Sequence, residues 1–116
     1  MAHSSRIDKR YQVATYPDTG YYHLAAFHGI LAGQANEDGT ACFWFDGRPD
    51  TALIWPSGYT AHGEPLSVLD PQGRPVAVVG REFNGGGGLA SQDRIAVSGC
   101  ENLRVAYTVN PLPPIP

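Results

Sequence analysis

The sequence has few charged residues, and this shortage excludes several classes of protein. Charged residues make up 16% of the 116-residue chain, with eight Lys and Arg against eleven Asp and Glu. Because phosphate affinity comes mainly from clustered Lys and Arg, the net charge of −3 argues against a nucleic-acid binder. Hydrophobic residues make up 42%, which is enough for one packed core, so we expect a single ordered domain.

Long apolar runs and an apolar leader are also lacking. No stretch approaches the roughly 20 apolar residues that a helix needs to cross a bilayer. The first ten residues, MAHSSRIDKR, are polar and lack the apolar core of a signal peptide. We therefore expect a cytoplasmic protein with no membrane span, while a virion or cell-envelope location stays open.

Cysteine is scarce, since Cys42 and Cys100 are the only two in the chain. Both lie next to predicted strands, so a disulfide could bridge distant parts of the fold, whereas in a cytosolic protein both would be reduced and buried. A metal site would need further ligands at suitable spacing, and none lies near either cysteine. We predict no metal and no cofactor, and the sequence leaves the disulfide open.

Glycine and proline, in contrast, are abundant, with 14 and 10 residues that favour tight turns over long helices. The clearest turn is 70–73, Asp-Pro-Gln-Gly, because Pro presets φ, Asp can bond the turn backbone and Gly accepts left-handed geometry. Apolar runs at 66–69 and 75–79 flank it, which predicts a β-hairpin. A second hairpin loop is predicted at 36–39.

Short apolar segments between the turns predict strands. Residues 21–34 also fit a helical face, but Gly29 and Gly33 weaken a helix and favour a bent strand. We predict an all-β domain of seven to eight short strands over residues 11–109, folded as a small antiparallel β-barrel or a sandwich. A polar arm (1–10) precedes it, and an extended Pro-rich tail (110–116) follows. The predicted strands are 11–16, 21–34, 40–45, 51–55, 66–69, 75–79, 94–97 and 103–109.

No group of residues identifies a reaction, and we predict that the protein is not an enzyme. Ser57 and Cys100 are candidate nucleophiles in loops, but neither lies in a nucleophile-elbow pattern. The glycines at 85–88 could bind an anion through backbone N–H groups, yet the Lys and Ser or Thr of a phosphate loop are missing. A close crossing or flexible loop is the simpler interpretation. His23 and His28 point to opposite faces of a strand, which favours isolated histidines over a metal site.

Aromatic residues carry the strongest functional signal. Consecutive Phe43, Trp44 and Phe45 on one strand must place at least one ring on the face opposite the others. An exposed ring could anchor a protein interface or stack on a base or sugar, and the few basic residues favour protein. The alternative is that an N-terminal segment covers that face. The candidate partner-binding residues are Trp44, Trp55, Tyr59, Asn84 and Gly86.

Several short motifs follow one another along about half of the chain. They are Gly29-Ile30-Leu31, Cys42-Phe43-Trp44, Trp55-Pro56-Ser57-Gly58-Tyr59, Asp70-Pro71-Gln72-Gly73-Arg74-Pro75-Val76, Val79-Gly80 and Gly85–Gly88. With these motifs the chain resembles a group of small bacterial β-domains, many of them actinobacterial and some attached to lipoprotein signals. The resemblance implies a barrel like the oligonucleotide/oligosaccharide-binding (OB) fold, and it implies no activity and no catalytic residues.

The sequence thus predicts a non-enzymatic binding or assembly module. Its expected partner is another protein or a second copy of itself, for example in a phage-like particle. Two alternatives stay open, namely an OB-like binder of a small ligand or oligonucleotide, and a hydrolase.

Overall fold

All regular structure in the described part of the chain is β. The structure is a computed structural model that describes residues 9–17, 25–48, 51–90 and 105–115. These residues form ten strands. The strands are β1 (Arg10–Gln12), β2 (Thr15–Tyr16), β3 (Ala25–Ala35), β4 (Ala41–Phe45), β5 (Thr51–Pro56), β6 (Thr60–His62), β7 (Ser67–Leu69), β8 (Pro75–Val78), β9 (Glu82–Ala90) and β10 (Val105–Val109). The same residues include no helix able to span a membrane.

The strands are arranged in two sheets. The smaller sheet has the order β1-β6-β7-β8 and is antiparallel throughout. The larger has the order β2-β5-β10-β9-β3-β4, in which β5 runs parallel to both of its neighbours and the other pairs are antiparallel. Side chains of both sheets meet in one core cluster, so the sheets pack against each other as a sandwich.

The prediction of an all-β domain is confirmed, but the predicted closed, antiparallel, OB-like barrel is not, and the sandwich alternative describes the fold. The N-terminal segment occupies the edge of β5, where Trp55 N–H donates to Ala14 O (2.8 Å) and Ser57 N–H to Tyr16 O (2.9 Å). Only an isolated bridge between Gln12 and Thr40 links this segment to β4 among the described residues. One bridge is too little pairing to close the sheet into a barrel.

The tetraglycine lies within a strand, whereas the sequence favoured a close crossing or a flexible loop. Residues 85–88 form the middle of β9, with β3 on one side and β10 on the other. Glycine is unfavourable in strands, but hydrogen bonds to two neighbours hold this one in place. Strand β6 was not predicted from the sequence, and the single strand predicted at 11–16 is divided into β1 and β2. The strand predicted at 94–97 lies outside the described residues.

Strand β5 is buried on both faces. Leu53 and Trp55 point into the cluster between the sheets, whereas Ala52 and Ile54 belong to a second cluster on the outer face of the larger sheet. Because both faces are covered, the strand carries a continuous apolar run instead of an alternating pattern.

Two glycines of β3 lie where a side chain does not fit. Gly33 is directly opposite Phe43, and a Cβ there would lie 2.7 Å from Cδ1 of that ring. At Gly29 a Cβ would lie 2.7 Å from Cδ1 of Phe45. Both rings therefore lie over bare backbone, which allows β3 and β4 to pack closely.

The hairpin predicted around Asp70 is confirmed between β7 and β8. The Asp70 carboxylate accepts hydrogen bonds from the backbone N–H groups of Gln72 (3.0 Å) and Arg74 (2.9 Å). It also forms a salt bridge with Arg74 Nε at 2.9 Å. Burial of Asp70 opposes ionisation, but these hydrogen bonds and the charge of Arg74 outweigh it and hold the pKa of the carboxyl below its ordinary value. Gly73 supplies the left-handed position with φ of 81°.

Candidate functional site

The five residues predicted to bind a partner do not form one cluster. Trp55 is 0% exposed and Tyr59 6%, so neither ring offers a surface to a partner, contrary to the expectation. The two rings stack with centroids 6.5 Å apart inside the core. Trp44, Asn84 and Gly86, in contrast, share the outer face of the larger sheet, where β3 separates Trp44 on β4 from Asn84 and Gly86 on β9.

Trp55 belongs to an aromatic group in the core. Its ring lies 5.7 Å from Phe43 in an edge-on arrangement and 5.6 Å from Phe83. Its indole N–H is buried and has no hydrogen-bond partner among the described residues, so packing positions the ring. The continuous apolar run of β5 was the sequence signal for this burial, since such runs are typical of strands covered on both faces.

The outer face of β9, β3 and β4 carries an exposed aliphatic side chain, Ile30. It is 42% exposed, and among the strand residues whose side chains the structure describes it is the only exposed large hydrophobic one. Its neighbours follow from the strand register, which places Ile30 opposite Glu82 and Ala32 opposite Trp44. We call this surface the outer patch, and its residues are Ala26, His28, Ile30, Trp44, Glu82, Asn84 and Gly86.

Strand alternation explains why Ile30 and Trp44 point outward. Leu31 and Phe45 pair directly and both lie in the core between the sheets. The adjacent residues must therefore point to the opposite face. Trp44 is partly buried against the second core cluster, against which Tyr16 of the N-terminal segment also packs. The expected segregation of Trp44 from its two Phe neighbours is thus present, and the described part of the N-terminal segment covers part of that face.

The outer patch contains both apolar and polar side chains. His28 and Asn84 are exposed and directly opposite each other, and exposed Glu82 follows along the strand. Ala26 and Gly86, also opposite each other, leave a flat area with little side chain. A surface that combines an aliphatic and an aromatic anchor with hydrogen-bonding groups is typical of protein interfaces.

A cavity of about 430 Å³ opens at one end of the larger sheet, where β4 ends and β5 begins. Its floor includes Phe45, which stacks on Phe83 with centroids 5.7 Å apart. Gly29, which has no side chain, leaves room beside that ring. The volume is within the range of small-molecule sites. The polar groups that line the cavity belong to His28, Asp46, Arg48, Thr51 and Tyr107.

A larger open groove of about 760 Å³ lies on the smaller sheet. Arg10 and His62, which are directly opposite each other in β1 and β6, form part of it. Arg10 also reaches Thr60 Oγ1 at 3.4 Å. Glu64 places a negative charge at the same groove, so its charges have mixed sign.

The nucleophile and metal candidates remain separate wherever the structure describes them. Ser57 is exposed in the turn after β5, and none of the described hydrogen bonds joins it to a histidine. His28 is exposed on β3, while His23 and Cys100 lie outside the described residues. In the described part of the chain, no three His, Cys, Asp or Glu side chains are grouped as metal ligands would be.

Cys42 is a disulfide cysteine. Its Sγ also accepts a hydrogen bond from Asn36 Nδ2 at 3.8 Å. The chain contains one further cysteine, Cys100, which lies outside the described residues. The question that the sequence left open is therefore answered for Cys42, which is not a free thiol.

Comparison with known proteins returned no relative. No protein-family model matches the chain, and neither a curated protein nor a solved structure is significantly similar to it. The resemblance to bacterial β-domains therefore stays a prediction, and function has to be argued from the surfaces of the chain itself.

Proposed function

We propose that the protein is a non-enzymatic binding module that engages another protein, or a second copy of itself, through the outer patch. The observation that carries this proposal is Ile30, a 42% exposed aliphatic side chain within an eleven-residue strand. Because this side chain is already more than half buried, covering the rest of it on association contributes about 1 kcal/mol. Trp44, diagonal to it on the next strand, supplies the aromatic anchor common in interface hot spots.

The charge of the outer patch favours protein over nucleic acid. Glu82 is acidic, and the patch contains no Lys or Arg to neutralise phosphates. His28 and Asn84, which form a polar row within the patch, can donate and accept hydrogen bonds. A neutral to acidic surface that includes an exposed aliphatic side chain therefore supports a protein partner.

The test replaces the anchor and measures association. We expect wild-type protein to self-associate in sedimentation equilibrium or to retain a protein partner, and we expect Ile30→Lys to weaken that association about ten-fold or more. Gln34→Lys is the matched control, because Gln34 is exposed on the same strand outside the patch. If Ile30→Lys and Gln34→Lys associate as the wild type does, the outer patch is not the interface.

The cavity at the end of the larger sheet supports a second candidate function, the binding of a small ligand. It combines an aromatic floor with both charge signs, from Arg48 and Asp46. Phe45 at the floor stacks on Phe83, which contacts Trp55, so an occupant should change tryptophan fluorescence. We expect a response to sugars or oligonucleotides that Arg48→Gln weakens. Absence of any response across such a panel would leave protein binding as the function.

The disulfide at Cys42 supports a location different from the expected cytoplasm. Disulfides persist in oxidising compartments and are rare in the cytosol. We therefore infer that the protein works in an oxidising environment, such as the cell envelope or a particle outside the cell. Protein isolated from its native source should show no Cys42 reactive to thiol reagents until it is reduced.

A further inference from the structure

The Pro-rich segment after β10 is seated on the body of the domain. Asn110 N–H donates to Gly86 O at 2.8 Å, which fixes the start of the segment beside β9. At its other end Ile115 N–H donates to Pro75 O at 2.8 Å. Because β8 is an edge strand among the strands that the structure describes, the segment covers part of that edge.

Every backbone donor that this segment possesses is used. Its four prolines within 111–116 have no N–H, so only Leu112 and Ile115 can donate there. Leu112 N–H donates to the Tyr59 hydroxyl at 3.2 Å, and Ile115 N–H bonds β8 as described above. The body of the domain thus provides an acceptor for each non-proline position, which is a sequence-specific form of recognition.

The spacing of the two apolar residues fits the same mode of recognition. Extended Pro-rich chains have three residues per turn, so Leu112 and Ile115 face the same side. Leu112 is partly buried against the core cluster between the sheets, whereas Ile115 is 37% exposed. Recognition of Pro-rich segments by apolar grooves uses this periodicity.

The groove beneath the segment is not completely filled. A space of about 310 Å³ remains between residues 112–115 and the strands β8 and β9. Val76 and Phe83 form apolar walls there, and Arg81 and Asn84 are polar groups at its border. Incomplete packing lowers the cost of releasing the segment, because fewer contacts are lost.

We propose that this groove, which we call the tail groove, binds the Pro-Leu-Pro-Pro-Ile segment of a second copy, so that two chains exchange their C-terminal segments. The exchanged contacts are identical to those within one chain, so exchange costs mainly the entropy of association. Since prolines cannot extend a hydrogen-bonded ladder, each exchanged segment covers its edge and does not recruit further strands. Exchange therefore gives a closed dimer.

The first experiment measures the tail groove directly. A labelled peptide of residues 110–116 is titrated into the full chain carrying Leu112→Asp and Ile115→Asp, whose own segment should leave the groove. We expect saturable binding, at least ten-fold tighter than to wild type, and at least ten-fold tighter than a control peptide with Asp at the same two positions. Equal binding of the control peptide, or no binding to the folded variant, overturns the proposal. Near-ultraviolet circular dichroism confirms that the variant is folded.

The main arm of the second experiment keeps the segment unchanged. A segment attached to its own domain has an effective concentration on the order of millimolar, so exchange requires protein at about 1 mM. Light and ¹⁵N-labelled Ile30→Lys chains are mixed at that concentration, so that the outer patch does not contribute. We expect mixed dimers by native mass spectrometry, and their loss when Leu112→Asp is added.

These outcomes separate the tail groove from the outer patch. Monomers alone at about 1 mM in the Ile30→Lys background overturn exchange and leave the proposed role of the outer patch intact. Mixed dimers that survive Leu112→Asp also overturn exchange, because they must use another surface. Conversely, failure of Ile30→Lys to weaken wild-type association counts against the outer patch without affecting the tail groove.

Discussion

Among single residues, Asp70 couples the stability of the fold to pH. Its folded-state pKa lies below the ordinary 3.8, so its ionised form is favoured by folding. This contribution to stability is fully present above the unfolded-state pKa and is lost as the pH falls through the folded-state pKa, below 3.8. We predict that Asp70→Asn is less stable than wild type at pH 7 and that the difference narrows at pH 3, measured by urea unfolding.

Asp46→Asn is the control for this prediction. Asp46 is exposed and forms no salt bridge within the described residues, so its replacement should leave the stability difference from wild type small at both pH values. An Asp70→Asn difference that is the same at pH 7 and pH 3 would contradict the assignment, because loss of an ionised partner must depend on pH.

Gly33 makes a different kind of contribution, through the space that it leaves for Phe43. A Cβ there would lie 2.7 Å from the Phe43 ring, so we predict that Gly33→Ala costs about 1–3 kcal/mol of unfolding free energy. Phe43→Leu removes the crowded ring atoms, and Gly33→Ala should therefore cost less in that background. Equal costs in the two backgrounds, measured as a double-mutant cycle by urea unfolding, would place the strain elsewhere.

At the scale of elements, local turn chemistry made some parts of the fold predictable. The hairpin around Asp70 follows from four consecutive residues, and the structure confirms it. Strand β9 was not predictable from residues 85–88, because a run of glycines has low strand propensity and no alternation of apolar and polar side chains. Pairing with β3 and β10 stabilises this strand. The extended tail was expected, but its partners on β8 and Tyr59 are distant in sequence and carry no local signal.

The Tyr59 hydroxyl accepts a hydrogen bond from the tail, and the contribution of this bond can be measured. Tyr59→Phe removes the acceptor of Leu112 N–H and keeps the buried ring. We predict that amide exchange at Leu112 becomes about two- to ten-fold faster with little change in global stability, since such a hydrogen bond contributes about 0.5–1.5 kcal/mol. Tyr11→Phe is the control, because Tyr11 is partly buried near the same cluster and does not contact the tail through a described hydrogen bond. Unchanged exchange at Leu112 in Tyr59→Phe would contradict this anchor.

At the scale of the whole molecule, the sequence did not predict whether the larger sheet closes into a barrel. Whether the larger sheet becomes a barrel depends on pairing between Gln12 and Thr40, which are far apart in the chain and form only one bridge. The candidate site was only partly predictable, because it too depends on contacts between distant parts of the chain. Alternation along one strand placed Trp44 opposite its Phe neighbours, but burial of Trp55 and Tyr59 depends on the second sheet, which alternation does not reveal.

The disulfide acts on the stability of the whole molecule. We predict that reduction of Cys42 lowers the unfolding free energy by about 2–5 kcal/mol, as is usual when a small domain loses a native disulfide. Thermal unfolding with and without reductant measures the change, and Cys42→Ser should be insensitive to reductant. Gel electrophoresis without reductant shows whether the bond joins one chain or two. A wild-type melting temperature that reductant leaves unchanged would contradict the prediction.

The glycine run in β9 has a consequence for how the larger sheet reaches its final alignment. Side chains normally oppose a slip of two residues between neighbouring strands, because a slip separates matched apolar pairs, but residues 85–88 have none. Phe83, stacked on Phe45 and in contact with Trp55, must therefore fix the frame from one end of the run. We therefore expect replacement of Phe83 to weaken the discrimination against misaligned but hydrogen-bonded forms of the sheet.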